Sequence, residues 1–251
     1  MEFADFRGYS PGDDLRYLDW NAFARLQRLF LKLFLEEEDL HVYVLLDASR
    51  SMDFGRPTKF EWGVQAAAAL GYIGLCGGDR VQLLSHAQGR GESSRQYRGR
   101  GCAPEMFDWL SALEPDGSTD LAAAAEWFLR TAPAPGIVFV ISDLLTAEWE
   151  AAISRLAAAK GDCCFLQAFS REEFQPSMHG DLKLVDSETE DERELTMGAS
   201  VLRRYMTSRD EFLGAVRAAC HRYGFSYLFA VTDESVEDVI LRSLRRLGVI
   251  G

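Results

Sequence analysis

The chain is short of the residues that usually carry enzyme chemistry. It has four histidines and five cysteines in 251 residues, and no G-x-S-x-G elbow, phosphate-cradling G-x-x-x-x-G-K or H-E-x-x-H. A serine nucleophile needs a base beside it, usually histidine. His41 heads an apolar run at its wrong end, His221 falls inside a late helical pattern and His179 near a hairpin. His86 alone closes a run close to the candidate site. The cysteines (Cys76, Cys102, Cys163, Cys164, Cys220) are odd in number and form no CxxC, which argues against a zinc site or a disulfide frame and for reduced thiols in the cytoplasm. No apolar stretch approaches the roughly 20 residues that span a bilayer, and no secretory core opens the chain. Positive charge is scarce too: 27 Lys and Arg face 39 Asp and Glu, a net −12. That balance argues against nucleic acid or an anionic membrane as partner. An acidic cytoplasmic protein is expected, long enough for one large α/β domain or two small ones.

What is present is alternation. HVYVLLD (41–47) is a continuous apolar run that suits a strand buried on both faces. TKFEWGVQAAAALGYIGLCGG follows, with Thr58 and Glu61 at capping-box spacing and Gly77-Gly78 as a stop. DRVQLLSH is a second strand, SSRQYRGR a polar edge strand, CAPEMFDWLSALE a helix with Pro104 in its first turn, and STDLAAAAEWFLRTA another helix. GIVFVISDLL repeats the first strand's design, an apolar run ending on an aspartate, Asp143. A helix closed by Gly161, the strand DCCFLQAF, and a hairpin inserted at about 181–197 around an acidic turn come next. A long helix with a second capping-box pair, Ser208 and Glu211, and a stop at Gly224 leads to the strand FSYLFAVTD and a final amphipathic helix. The order predicts a doubly wound, mostly parallel α/β sheet over 41–251, Rossmann-like in layering, preceded by an arm over 1–40.

Ligands of such sheets bind beyond the carboxyl ends of the central strands. Asp47 and Asp143 end the two most apolar strands, so two carboxylates are expected to approach there. Like charges that close need a proton or a cation between them. Ser49, Ser51 and Thr119 supply hydroxyls around them, and hard oxygen donors suit magnesium or manganese, not zinc.

Asp-x-Ser-x-Ser, a Thr before a helix and an Asp ending a later strand resemble the metal-ion-dependent adhesion site of von Willebrand factor type A domains. Asp47, Ser49, Ser51, Thr119 and Asp143 fill its five positions in order. The resemblance implies direct hydroxyl contact to a weakly held Mg2+ (with Mn2+ or Ca2+ as alternatives), aspartates acting through water, and a partner's Asp or Glu carboxylate completing the coordination. The segment before it, with Arg7, Tyr9, Pro11-Gly12-Asp13-Asp14, Arg16, Asp19 and Trp20, resembles the bacterial and archaeal family called domain of unknown function 58. Family sequence is expected upstream of it. That resemblance implies a partner of the MoxR-type AAA+ ATPase class and an adaptor role in assembling or maturing other proteins.

Simpler readings stand beside these. Asp47, Ser49 and Ser51 suit a turn, and Thr119 suits a helix cap. The Pro-Gly-Asp-Asp turn has Arg7 and Arg16 at hand to pin the arm onto the domain, or it is a second surface for the ATPase. The acidic runs at 36–39 and 188–194 suit solvated faces, the Ala runs at 66–69 and 122–125 close packing, and Tyr72, Trp109, Trp127 and Trp149 helix faces. A hydrolase or phosphatase using Asp47, Ser49 or Ser51 is the rival activity, and an interaction module with a vestigial site the third reading.

Overall fold

The computed structural model describes residues 2–10, 13–15, 18–35, 40–88, 90–132, 134–159, 161–177, 180–185 and 192–246. Two compact units divide the chain, Met1–Asp39 and Leu40–Gly251.

In the first unit, β1 (Glu2–Gly8) and β2 (Phe30–Leu35) pair antiparallel, with α1 (Trp20–Leu26) between them in sequence. Asp19 caps α1, its carboxylate accepting from Asn21 N and Ala22 N at 2.8 and 2.9 Å. Arg7 pairs with Asp13 at 2.7 Å and Ser10 N donates to the same carboxylate. This arginine therefore pairs within the arm's own turn, while Arg16 lies outside the described residues, as do the acidic run at 36–39 and the hairpin's turn at 186–191.

The second unit follows the expected alternation. Its strands and helices are β3 (His41–Asp47), α2 (Lys59–Gly77), β4 (Arg80–Ala87), β5 (Arg90–Ser93), β6 (Tyr97–Arg98), α3 (Ala103–Ser111), α4 (Leu121–Thr131), β7 (Gly136–Ser142), α5 (Trp149–Leu156), β8 (Gly161–Phe169), the single turn α6 (Arg171–Phe174), β9 (Gly180–Val185), β10 (Glu192–Met197), α7 (Ala199–Arg222), β11 (Ser226–Val231) and α8 (Val236–Arg246). Sheet order is β11-β8-β7-β3-β4-β5, with β6 also on β4; the first five are parallel and β5 and β6 antiparallel. β9 and β10 form a separate antiparallel pair.

Strand periodicity sorts the core onto two faces. Val42, Val44 and Leu46 of β3 pack with Ala66, Ala67 and Leu70 of α2, with Met106 of α3 and with Ile240 of α8. Tyr43 and Leu45 face Ala124, Ala125 and Phe128 of α4, Ile153 of α5 and Val216 of α7. Small residues bring the helices close: a Cβ at Gly63 would sit 2.9 Å from Leu46 Cδ1. Among the described residues no helix is long and apolar enough to cross a membrane.

Several local signals land where expected. Thr58 and Glu61 form a reciprocal capping box on α2, and Gly78 ends it in the left-handed region at φ 87°. Others do not. Ser208 and Glu211 lie inside α7, whose N-cap is Gly198, because the helical pattern simply continues upstream of them. Gly161 opens β8, α5 having ended at Leu156 with Ala157 as its C-cap. The Thr58 cap fixes the first turn of α2 and so the position of Lys59. Thr58→Ala is expected to cost about 1 kcal/mol, read as a fall in the urea midpoint with an unchanged slope.

Candidate metal centre

Three backbone segments meet at the carboxyl ends of β3, β4 and β7. The chain leaves β3 through α2 to β4 on one side and later returns to β7 on the other, so the crevice opens at the reversal. The loop before α4 is tied to both neighbours. Asp116 N donates to Ala48 O, Arg50 N to Gly117 O and Gln88 N to Ser118 O, all at 2.8–2.9 Å. Gly117 has φ 70°, and a Cβ there would lie 1.8 Å from the Gln88 side chain. Only glycine fits this crossing, and it is what delivers Thr119 to the site.

The hydroxyls of Ser49, Ser51 and Thr119 close a ring. Thr119 donates to Ser49 at 2.7 Å, Ser49 and Ser51 are 3.0 Å apart, and Ser51 and Thr119 3.2 Å. Asp47 lies behind them, buried, with Oδ1 accepting from Ser49 N at 3.0 Å and Oδ2 from Ser142 Oγ at 2.7 Å. Thr119 is not the cap of α4. Asp120 is, accepting from Ala123 N at 2.8 Å. Asp143 Oδ1 accepts from Leu145 N, and Gln167 holds its backbone carbonyl.

A cation of the chain itself faces Asp143, and its second partner is Glu173, not Asp47. Lys59, 1% exposed, donates to Asp143 Oδ2 and to Glu173 Oε1, each at 2.6 Å. Glu173 arrives on α6, where its other oxygen closes a capping box with Ser170. Burial works against the Lys59 ammonium, but the charges of Asp143 and Glu173 reverse this and hold its pKa above the usual value. Asp47 has no such partner. Burial first, then the Asp143 charge, push it up to about 6, against the hydrogen bonds from Ser142 and Ser49.

The donor set fits a small hard cation. Three neutral hydroxyls converge beside a carboxylate, and hard oxygen donors of this kind suit magnesium; among the described residues no three His, Cys, Asp or Glu side chains group into a metal site of any kind. The sequence brought all five expected residues to one place and missed three that govern them: Lys59, Glu173 and Ser142. Ser142 had a signal, since it precedes Asp143 on the face that Asp47 shares. Ser170 and Glu173 stand at capping-box spacing, but nothing in the chain ties Glu173 to Lys59, 114 residues away.

The hydrolytic reading finds little geometry. His86 is buried beside Asp47 in the β3–β4 register, but its Nε2 has no hydrogen-bond partner and Ser49 Oγ is bonded to other hydroxyls. Burial lowers the His86 pKa, against the charge of Asp120. His41 begins β3, His221 lies in α7 and His179 is outside the described residues. All five cysteines are free, and burial raises the thiols of Cys163 and Cys164, the latter to about 12. A cavity of about 820 Å³ lies away from these groups, between α2 and α8, lined by Trp62, Tyr72 and Ile240 among others.

The comparisons agree with this architecture. The family described as "Protein of unknown function DUF58" matches residues 5–211. An uncharacterized protein of Mycobacterium tuberculosis is 29% identical over 228 residues, covering 88% of this chain and 68% of its own. The crystal structure of the conserved hypothetical protein BatB from Bacteroides thetaiotaomicron superposes with a TM-score of 0.51 at 15% identity, over 84% of this chain and all of that one. The SpRpn10 VWA domain gives 0.47 at 12% identity, over 81% and 95%. The fold is a mostly parallel sheet between two layers of helices. Since the family match runs from the N-terminal arm through β3 to β8 and the hydroxyl ring into α7, the chain belongs to the DUF58 family of proteins of unknown function.

Proposed function

We propose that this protein is a non-enzymatic protein-binding module, in which Ser49, Ser51, Thr119, Asp47 and Asp143 hold a divalent cation, magnesium before manganese or calcium. The ring of three hydroxyls within 2.7–3.2 Å of one another carries this reading. Neutral ligands leave the ion much of its charge, and that charge is what a carboxylate from a partner would dock on. For a chain of charge −12, a bound cation offers an acidic partner a point of attraction. The partner is a protein presenting Asp or Glu, a MoxR-type AAA+ ATPase or its client, and the chain acts as an adaptor in assembling or maturing other proteins. A non-catalytic role accords with the Ser49 and Ser51 hydroxyls being bonded to one another and to Thr119.

Thermal unfolding in EDTA and then in 10 mM magnesium tests the site. A dissociation constant of about 1 mM gives about 1.4 kcal/mol of stabilisation at that concentration, a rise of a few degrees for a chain this size. Wild type is expected to show it and Ser49→Ala to lose it. Equal shifts in both proteins, or none in either, would count against this assignment.

A further inference from the structure

A centre of five ligands does not by itself call for a lysine, yet Lys59 points a buried ammonium at one of them, 2.6 Å from Asp143 Oδ2. The arrangement is built from three directions. The Thr58–Glu61 capping box fixes the first turn of α2 from which Lys59 projects. The Ser170–Glu173 box fixes Glu173 on the far side. Gly55, at φ 96°, lets the turn before α2 approach Ser170, where a Cβ would come within 2.4 Å. Three carboxylates (Asp47, Asp143, Glu173) and one ammonium leave this buried group a formal −2 when all are ionised.

We infer that Lys59 is a built-in counter-cation of the metal centre: it holds Asp143 in place and limits how tightly a divalent ion is bound. The inference rests on the metal-binding reading above. A divalent ion entering among the hydroxyls shares the field of Asp143 with the ammonium, so the two cations repel one another. Removing one positive charge within about 10 Å of a doubly charged ion in such surroundings strengthens its binding about tenfold or more. Lys59 therefore keeps Asp143 and Glu173 compatible without metal, and makes the ion an exchangeable ligand instead of a permanent one.

The test is calorimetric titration of magnesium into the whole chain and into Lys59→Gln, Lys59→Arg and Glu173→Gln, each first checked for native circular dichroism. Affinity is expected to follow the charge of the group. Lys59→Gln binds about tenfold tighter than wild type, Lys59→Arg stays within about threefold of it, and Glu173→Gln binds more weakly. A lysine that only orients Asp143 predicts the reverse for Lys59→Gln, so weaker or unchanged binding there overturns the inference. If Lys59→Gln fails to fold, Glu173→Gln decides, and unchanged or tighter binding in it overturns the inference. Binding by Lys59→Gln with none by wild type supports the counter-cation and sinks the metal-dependent function. No binding by either overturns both.

Discussion

Lys59→Met is expected to destabilise the protein by about 3–5 kcal/mol at neutral pH. The methionine fills much of the same volume, so the loss is one of charge. Asp143 and Glu173 would stay buried or nearly so, with side-chain exposures of 1% and 16%, and would face each other without the ammonium that now lies 2.6 Å from both. Breaking a buried pair from one side costs far more than replacing the whole group, because the remaining charge has no solvent to turn to. The triple variant Lys59→Met, Asp143→Asn, Glu173→Gln is therefore expected to recover most of the loss. For a chain of this length the single variant should melt about 10 °C below wild type. A loss under about 1 kcal/mol, measured by urea denaturation, would mean that water reaches the group.

Asp47→Asn is expected to do the opposite, stabilising the metal-free protein while abolishing its response to magnesium. The sign follows from linkage. The folded-state pKa of Asp47 is raised to about 6 from 3.8, so between those values the native state binds more protons than the unfolded chain. The group's contribution to stability falls as pH rises through that window and stays low above it. Asparagine removes the buried charge and keeps an oxygen for Ser49 N, but its amide now donates to Ser142 Oγ, which already accepts from Leu144 N at 3.0 Å. The displaced Ser142 proton takes back part of the gain, leaving about 1–2 kcal/mol at pH 7. The advantage over wild type should shrink as pH falls through 6 and vanish near 4. Urea midpoints of both proteins in EDTA from pH 4 to 8 check this, and an advantage that does not depend on pH would refute the charge argument.

The two variants show which part of the site a reader of the sequence can reach. HVYVLLD and GIVFVIS are apolar without interruption because β3 and β7 are covered on both faces, and each announces its own carboxyl end with a polar residue. DxSxS is legible for the same reason: its residues are neighbours in the chain, and the strand fixes their direction. Thr119 is legible as a hydroxyl before a helix, but not which residue caps that helix. That depends on Asp120 taking the Ala123 amide, a choice between adjacent side chains that hydrogen-bond geometry settles. The Thr58–Glu61 pair caps a helix and the Ser208–Glu211 pair does not, since the same three-residue spacing also occurs inside a continuous helix.

Sequence by itself determined the strand and helix order, the mostly parallel sheet and the five residues gathered at its mouth, because burial and local periodicity act within a few residues of chain. Tertiary structure alone decided how the charges there are balanced. Lys59 is one position inside a helix whose apolar face the sequence shows plainly, and Glu173 sits in a four-residue turn after β8, where its spacing from Ser170 marks a cap but not an ion pair. Their meeting on Asp143 depends on β7 lying between β3 and β8 and on Gly55 letting two loops touch. Electrostatic interaction depends on distance through space, and in this fold groups 84 and 114 residues apart reach 2.6 Å.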